Sequence, residues 1–299
     1  MGYFFLALAL IAGAAKGFCG KKISSRLGGY GDAALSNFIR MIICVAVGLV
    51  LALSQSGNFF AETSTCTILC ALLSGVATAS FIVSWVISIR KGAFVMVDVF
   101  LTLGVGITLL LSRIFLNEHI RANHIIGFII LAVAAYVMCS YSQKLSGKMT
   151  FSSLLLLILC GVSNGLADFS QKLFVHTTEG ENAAAFNFYS YVFSSAVLLV
   201  AYFIFKKKEK GVESVFATSY AKKLLIYIAV MAVMLFVNSY FKTLAAGRLS
   251  SVLLYPLNQG SALILALFMG AAFFKEKITP RCLVGIAMAF AALFIINVL

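Results

Sequence analysis

The side chains able to do chemistry in this sequence are few, and most lie inside long apolar runs: Lys16, Asp98, Asn164, Asp168, Asn238 and the cluster Tyr255-Pro256-Leu257-Asn258-Gln259. A charge or amide in such a run is costly unless it faces a partner or a cavity, so these are the groups fit to handle a polar solute or a proton. Lys16 and Asp98 fall about 6 and 9 Å from the same end of their runs at about 1.5 Å per residue, which predicts an ion pair or a pair that a solute opens. Snorkelling of Lys16 to the interface is the plainer alternative. Asn164 and Asp168 are one helical turn apart, and Asn238 lies at a related depth in another run. They could share one cavity wall, or serve as hydrogen-bonded glue between helices.

Pro256 removes an N–H from its helix and strips the partner from a carbonyl one turn earlier, which predicts a kink or broken turn beside Tyr255, Asn258 and Gln259. Trp85, the only tryptophan, offers a stacking surface or an interfacial anchor. Hydrolytic and metal chemistry lack their parts. His119, His124 and His176 stand near run ends, no HExxH occurs, and neither Asp98 nor Asp168 has a GxGD context. The seven cysteines are scattered without a CxxC and read as small apolar packing residues, so no metal and no cofactor is expected.

The elements that must position these groups are set by composition. With 299 residues, 62% hydrophobic and 11% charged, and a mean hydropathy of +1.04, the chain reads as an integral membrane protein. Apolar stretches of about 20 residues need helices, not the dyad alternation of a β-barrel. Ten spans are predicted: 3–20, 33–53, 65–89, 92–112, 122–142, 151–171, 183–205, 224–244, 249–274 and 280–298. The first has no basic leader and no clean cleavage site, so it is kept as a helix.

Sixteen basic residues fall between spans 1/2, 3/4, 5/6, 7/8 and 9/10, among them Lys21, Lys22, Arg90, Lys144, the run Lys206 to Lys210, and Lys275. The other side holds five: Arg113, Arg121, Lys172, Lys242 and Arg248. The bias places the first set in the cytoplasm and both termini outside, in a cell membrane such as a bacterial inner membrane. The formal net charge of +13 follows from that topology, and nucleic acid is not expected as a partner.

Phe115, Glu118, Ile120 and Gly127 recur as Phe273, Glu276, Ile278 and Gly285 at a shift of 158, and Gly13 and Gly17 as Gly161 and Gly165 at a shift of 148. The pattern predicts two five-helix units, 1–148 and 149–299, the second inverted because five is odd. The paired glycines read as close-packing contacts. Glu118, Glu276, Pro256, Gly127 and Gly285 are assigned structural roles, Glu276 by accepting N–H groups from the opening of the last helix.

The run Phe273-Phe274-Lys275-Glu276-Lys277-Ile278-Thr279-Pro280 with Gly285, and the weaker Phe115-Leu116-Asn117-Glu118-His119-Ile120 with Gly127, resemble the drug/metabolite transporter superfamily, specifically its EamA-like ten-helix members. The C-terminal run Ala291 to Leu299 is similar to the last helix of small multidrug resistance proteins. The first helix departs from those exporters by lacking their embedded glutamate. The resemblance implies a secondary transporter, not an enzyme, that exports amino acids or related small polar metabolites by alternating access. A sugar or nucleoside uptake carrier is the alternative, and a membrane enzyme or scaffold the rival of another class. Its partners would be a small-molecule substrate, the lipid bilayer and a coupling proton or cation. Tyr255, Asn258, Gln259, Asn164, Asp168, Asn238, Asp98, Lys16 and Trp85 would contact the substrate.

Overall fold

The computed structural model describes residues 1–24, 27–90, 94–140, 151–178, 181–209, 214–217, 220–274 and 280–298. The chain is all helical. The elements are α1 (Gly2–Ser24), α2 (Tyr30–Gln55), a single turn α3 (Phe59–Glu62), α4 (Thr65–Arg90), α5 (Phe94–Leu116), α6 (Ala122–Ser140), α7 (Phe151–Thr177), α8 (Ala183–Lys208), α9 (Ala221–Ala246), α10 (Ser251–Phe274) and α11 (Pro280–Val298). Eight of them are long and apolar enough to cross a membrane, and α6 and α11 carry shorter apolar stretches. Large apolar side chains stay exposed around the outside, among them Ile11, Val50, Leu69, Phe203 and Phe290, as a lipid-facing surface requires. This is a multi-pass membrane protein.

Local signals set the helix ends. Pro280 opens α11, where its missing N–H costs nothing. The Asn182 side chain caps α8 by accepting N–H bonds from Ala184 at 2.8 Å and Ala185 at 3.2 Å. Helix α5 ends at Leu116, followed by Asn117, whose φ of 53° is left-handed, and the Glu118 N–H donates back to the Ser112 carbonyl at 3.4 Å, so a left-handed residue stops the helix.

Several helices run past the extents expected from sequence. Helix α7 continues to Thr177, past the expected end at 171, because Lys172 is neutralised inside the fold by Glu118, and Lys242, within α9, pairs with Asp168. The charge count assigns both to one side of the membrane, whereas in the structure each is paired with a carboxylate inside the helix packing. Helix α10 runs through Pro256 unbroken, so the broken turn expected there does not occur.

Eight helices pack in a closed ring, in the order α1, α9, α2, α8, α4, α7, α5, α10 and back to α1. Helices α6 and α11 pack against each other outside the ring and join it through α5 and α10. At Gly127, where a Cβ would meet the Ala292 carbonyl at 3.0 Å, α6 approaches the α11 backbone closely. Gly285 is buried on α11.

Loops gather at two ends. At one, Glu209 accepts the Tyr30 and Gly31 N–H groups at 2.7 and 2.9 Å, and Asp32 accepts the Val215 N–H at 2.9 Å. At the other, Glu118 accepts the Ser251 N–H at 2.9 Å, and Tyr3 meets Asn297 at 3.5 Å.

Candidate functional site

Helices α7 and α9 are not consecutive in the ring, yet Lys242 of α9 holds Asp168 of α7 at 2.6 Å. Asp168 is 5% exposed, so the pair spans the inside of the ring. Lys16 of α1 lies within electrostatic reach of Arg40 and Cys44 of α2, Lys242 and Asp168. Arg40 lies within reach of Cys44 and of Tyr191 on α8. Five helices thus direct polar groups to one region inside the ring, from Lys242, four residues from the end of α9, to Arg40, ten residues from the start of α2 and about 15 Å along its axis.

Beside it runs a chain of neutral hydrogen bonds. Gln171 donates to Ser239 at 3.1 Å, Ser239 to Asn187 Oδ1 at 2.7 Å, and the Asn187 amide to Thr243 at 3.2 Å. The Gln171 Oε1 is enclosed without a donor. This network ties α7, α8 and α9 together, and buried amides and hydroxyls joined in this way define a single packing arrangement. Sequence reading missed Asn187, Gln171 and Ser239. Their only signal was polarity within apolar runs, shared with many serines that merely bond back to their own helix, such as Ser190 to Phe186 at 2.8 Å.

Lys16 and Asp98 do not meet. No ion pair joins them, and Asp98 is absent from the charges acting on Lys16. Helix α1 extends to Ser24, which puts Lys16 about 12 Å from that end, while Asp98 lies about 6 Å from the start of α5. The matching depth therefore fails. Asp98 is exposed and its carboxylate makes no hydrogen bond among the described residues, with Cys160 of α7 in electrostatic reach.

Of the candidates on α10, Tyr255 is fully buried, and its hydroxyl donates to the Asp168 carbonyl at 2.6 Å. Tyr255 therefore holds Asp168 in place instead of facing a cavity. Asn258 and Gln259 are partly buried and make no hydrogen bond among the described residues, and the same holds for Asn164. The Asn238 amide is committed to the Ala9 carbonyl at 2.6 Å, a bond between α9 and α1. Asn238 is thus glue, and it does not share the wall of Asn164 and Asp168. Trp85 is partly buried between apolar clusters that bridge α2, α4 and α8 on one side and α5 and α7 on the other. Glu118 caps α10 and pairs with Lys172 at 3.2 Å; Lys172 also donates to the Ala246 and Leu249 carbonyls at 2.9 and 2.7 Å. Glu276 lies outside the described residues.

The paired glycines behave differently in the two halves. A Cβ at Gly161 or Gly165 would strike the backbone carbonyl of Phe100 or Gly104, so α7 and α5 meet backbone to backbone. On α1, Gly13 faces the Asn238 amide at 3.1 Å and Gly17 has nothing within 4 Å. The expectation of a close-packed contact at Gly17 is corrected: that helix face is open.

Residues 151–298 match the sequence profile of the EamA-like transporter family. No curated protein matches the chain. A solved structure described only as a crystal structure of a protein is similar over 99% of this chain and 96% of its own, with a TM-score of 0.78 at 11% identity, a likeness of fold alone. The second half of the chain, residues 151–298, thus matches the EamA-like transporter family of the drug/metabolite transporter superfamily.

Proposed function

We propose that this EamA-like chain is a ten-span secondary transporter that moves a small polar metabolite, first among candidates an amino acid or related compound, outward through the interior of its helix ring by alternating access. The observation that carries this reading is the distribution of polarity. The lipid-facing surface is apolar, whereas Lys16, Arg40, Asp168 and Lys242 converge inside the ring, where intramembrane charge serves a solute path. Asn258, Gln259 and Asn164 retain unengaged amides for direct contacts, with Asp98 and Trp85 toward one end.

Alternating access is supported by the unequal glycine seams. The shift of 148 relates Gly161 and Gly165 to Gly13 and Gly17, and the shift of 158 relates Gly104 to Ala262 and Phe100 to Asn258. Read as inverted copies, the zipped α5–α7 seam corresponds to a looser α1–α10 seam. Exchange of the two would open the ring first to one side and then to the other. Asn258 lies on α10, the helix that shares this looser seam with α1.

The test is counterflow in proteoliposomes with a labelled metabolite panel. Asn258→Leu and Gln259→Leu should each reduce flux while leaving expression and monodispersity unchanged. Full flux in both variants would move this part of α10 out of the solute path.

A further inference from the structure

Lys16 of α1 and Arg40 of α2 lie within electrostatic reach of each other, and neither forms an ion pair among the described residues. Lys16 makes no hydrogen bond or ion pair among the described residues; the charged groups within its reach are Arg40, Lys242 and Asp168, with the neutral Cys44 thiol beside them. Among the described residues Arg40 has one polar contact, Nη1 to the Met231 thioether at 3.8 Å, a weak acceptor. Its Nε is enclosed without any acceptor. The one carboxylate in reach of Lys16, Asp168, is occupied by Lys242 at 2.6 Å. Three cations therefore face one anion in the middle of the ring, and the unmatched pair is the one with open donors.

Two like charges brought together in a low-dielectric interior repel, and a chain keeps such a pair only where something compensates it. Snorkelling does not relieve it, since Arg40 is about 15 Å from the nearer end of α2. The chemistry of the donors selects the compensating group. A guanidinium presents a planar fork of N–H donors that matches two oxygens of a carboxylate or phosphate, and an ammonium beside it adds a third, mobile donor.

We propose that Lys16 and Arg40 form the seat for an anionic group, a carboxylate or a phosphate, on the solute that this protein carries. The proposal rests on the transporter reading for the word "carries", and the seat itself stands on the geometry. It narrows the solute to molecules whose anionic group outweighs any ammonium they bear, because Asp168 is already taken. Neutral sugars and nucleosides, and organic cations, are disfavoured.

The experiment is thermal unfolding of the full chain in detergent, at fixed ionic strength, against malate, L-glutamate, glycerol 3-phosphate and inorganic phosphate, with L-glutamine and glycerol as uncharged counterparts. At least one anion should raise the midpoint saturably and neither uncharged compound should. The carboxylate and phosphate arms identify which oxyanion is seated. Lys16→Gln and Arg40→Gln should each weaken that response at least about tenfold, the worth of a charge-assisted hydrogen bond, while Lys16→Arg retains most of it. Both Gln variants should unfold, without ligand, no earlier than wild type, because each removes a repulsion; this separates loss of the seat from loss of the fold. A response shared by the uncharged compounds, one that survives both Gln substitutions, or none from any anion overturns the seat. Anion binding without flux of that anion in proteoliposomes would overturn the transporter reading and leave the seat. Flux of uncharged solutes that is indifferent to Lys16→Gln would do the reverse.

Discussion

Asp168 holds two neighbours at once. Its carboxylate takes Lys242 of α9 at 2.6 Å and its carbonyl takes the Tyr255 hydroxyl of α10 at 2.6 Å, so one residue fixes three helices about the centre of the ring. Breaking a buried ion pair by removing one partner leaves the other charge uncompensated and costs about 3 kcal/mol. Asp168→Asn and Lys242→Gln should each lower thermal stability by an amount of that order, and the double variant should recover a large part of it. Additive losses in the cycle would mean that the two side chains are not coupled. Much of this was legible beforehand: Asp168 was marked by its type and depth. Its partner was not, because Lys242 lies 74 positions away near the end of its apolar run, where a lysine counts toward the charge of that side of the membrane. Lys172 was counted in the same way. Conversely, Lys16 and Asp98 looked paired because equal distance from a run's end says nothing about which neighbours a helix face meets.

At the scale of elements, the two seams make opposite demands on their glycines. In α7, Gly165→Ala would drive a methyl group into the Gly104 carbonyl. Since backbone cannot step aside as a flexible side chain can, a cost of about 1–3 kcal/mol from overpacking is expected, read as a lower unfolding temperature. In α1, Gly17→Leu meets open space and should leave the protein folded. If the α1–α10 seam must close during the cycle, the same leucine should block flux; normal flux would show that this face never closes. Existence and order of the helices followed directly from apolar run length, since continuous apolar stretches in a membrane leave the backbone little choice but helix. Their ends did not. Charges that stop a run by composition are absorbed when a partner neutralises them, and Pro256 did not break α10. The glycine spacing was visible in the sequence, but which glycines meet a neighbouring backbone and which meet open space was not.

For the whole molecule, the location of loops at two ends is given by contacts such as Glu209 with Tyr30 and Glu118 with Ser251. Which end faces the cytoplasm is the proposal drawn from the basic residues. Moving Lys172 and Lys242 into the fold leaves Arg113, Arg121 and Arg248 as the poorer end's basic residues, which sharpens the asymmetry. In a cysteine-free background, Ser214→Cys should resist an impermeant thiol reagent in intact cells and react once the membrane is permeabilised. Labelling in intact cells would invert the topology. A different consequence follows from the pair outside the ring. Helices α6 and α11 close the two halves of the chain and touch each other along Gly127, beyond the seams that would open and shut. In a two-armed device the stationary part is its pivot, and this pair stands where a pivot would. Asn123 reaches the Ile295 carbonyl at 3.4 Å, so cysteines at Asn123 and Ile295 joined by a short bifunctional reagent should leave flux nearly intact, whereas the same tether drawn between α1 and α10 should stop it. A hinge can be pinned through its axle without seizing; arrest by the α6–α11 tether would place the axle elsewhere.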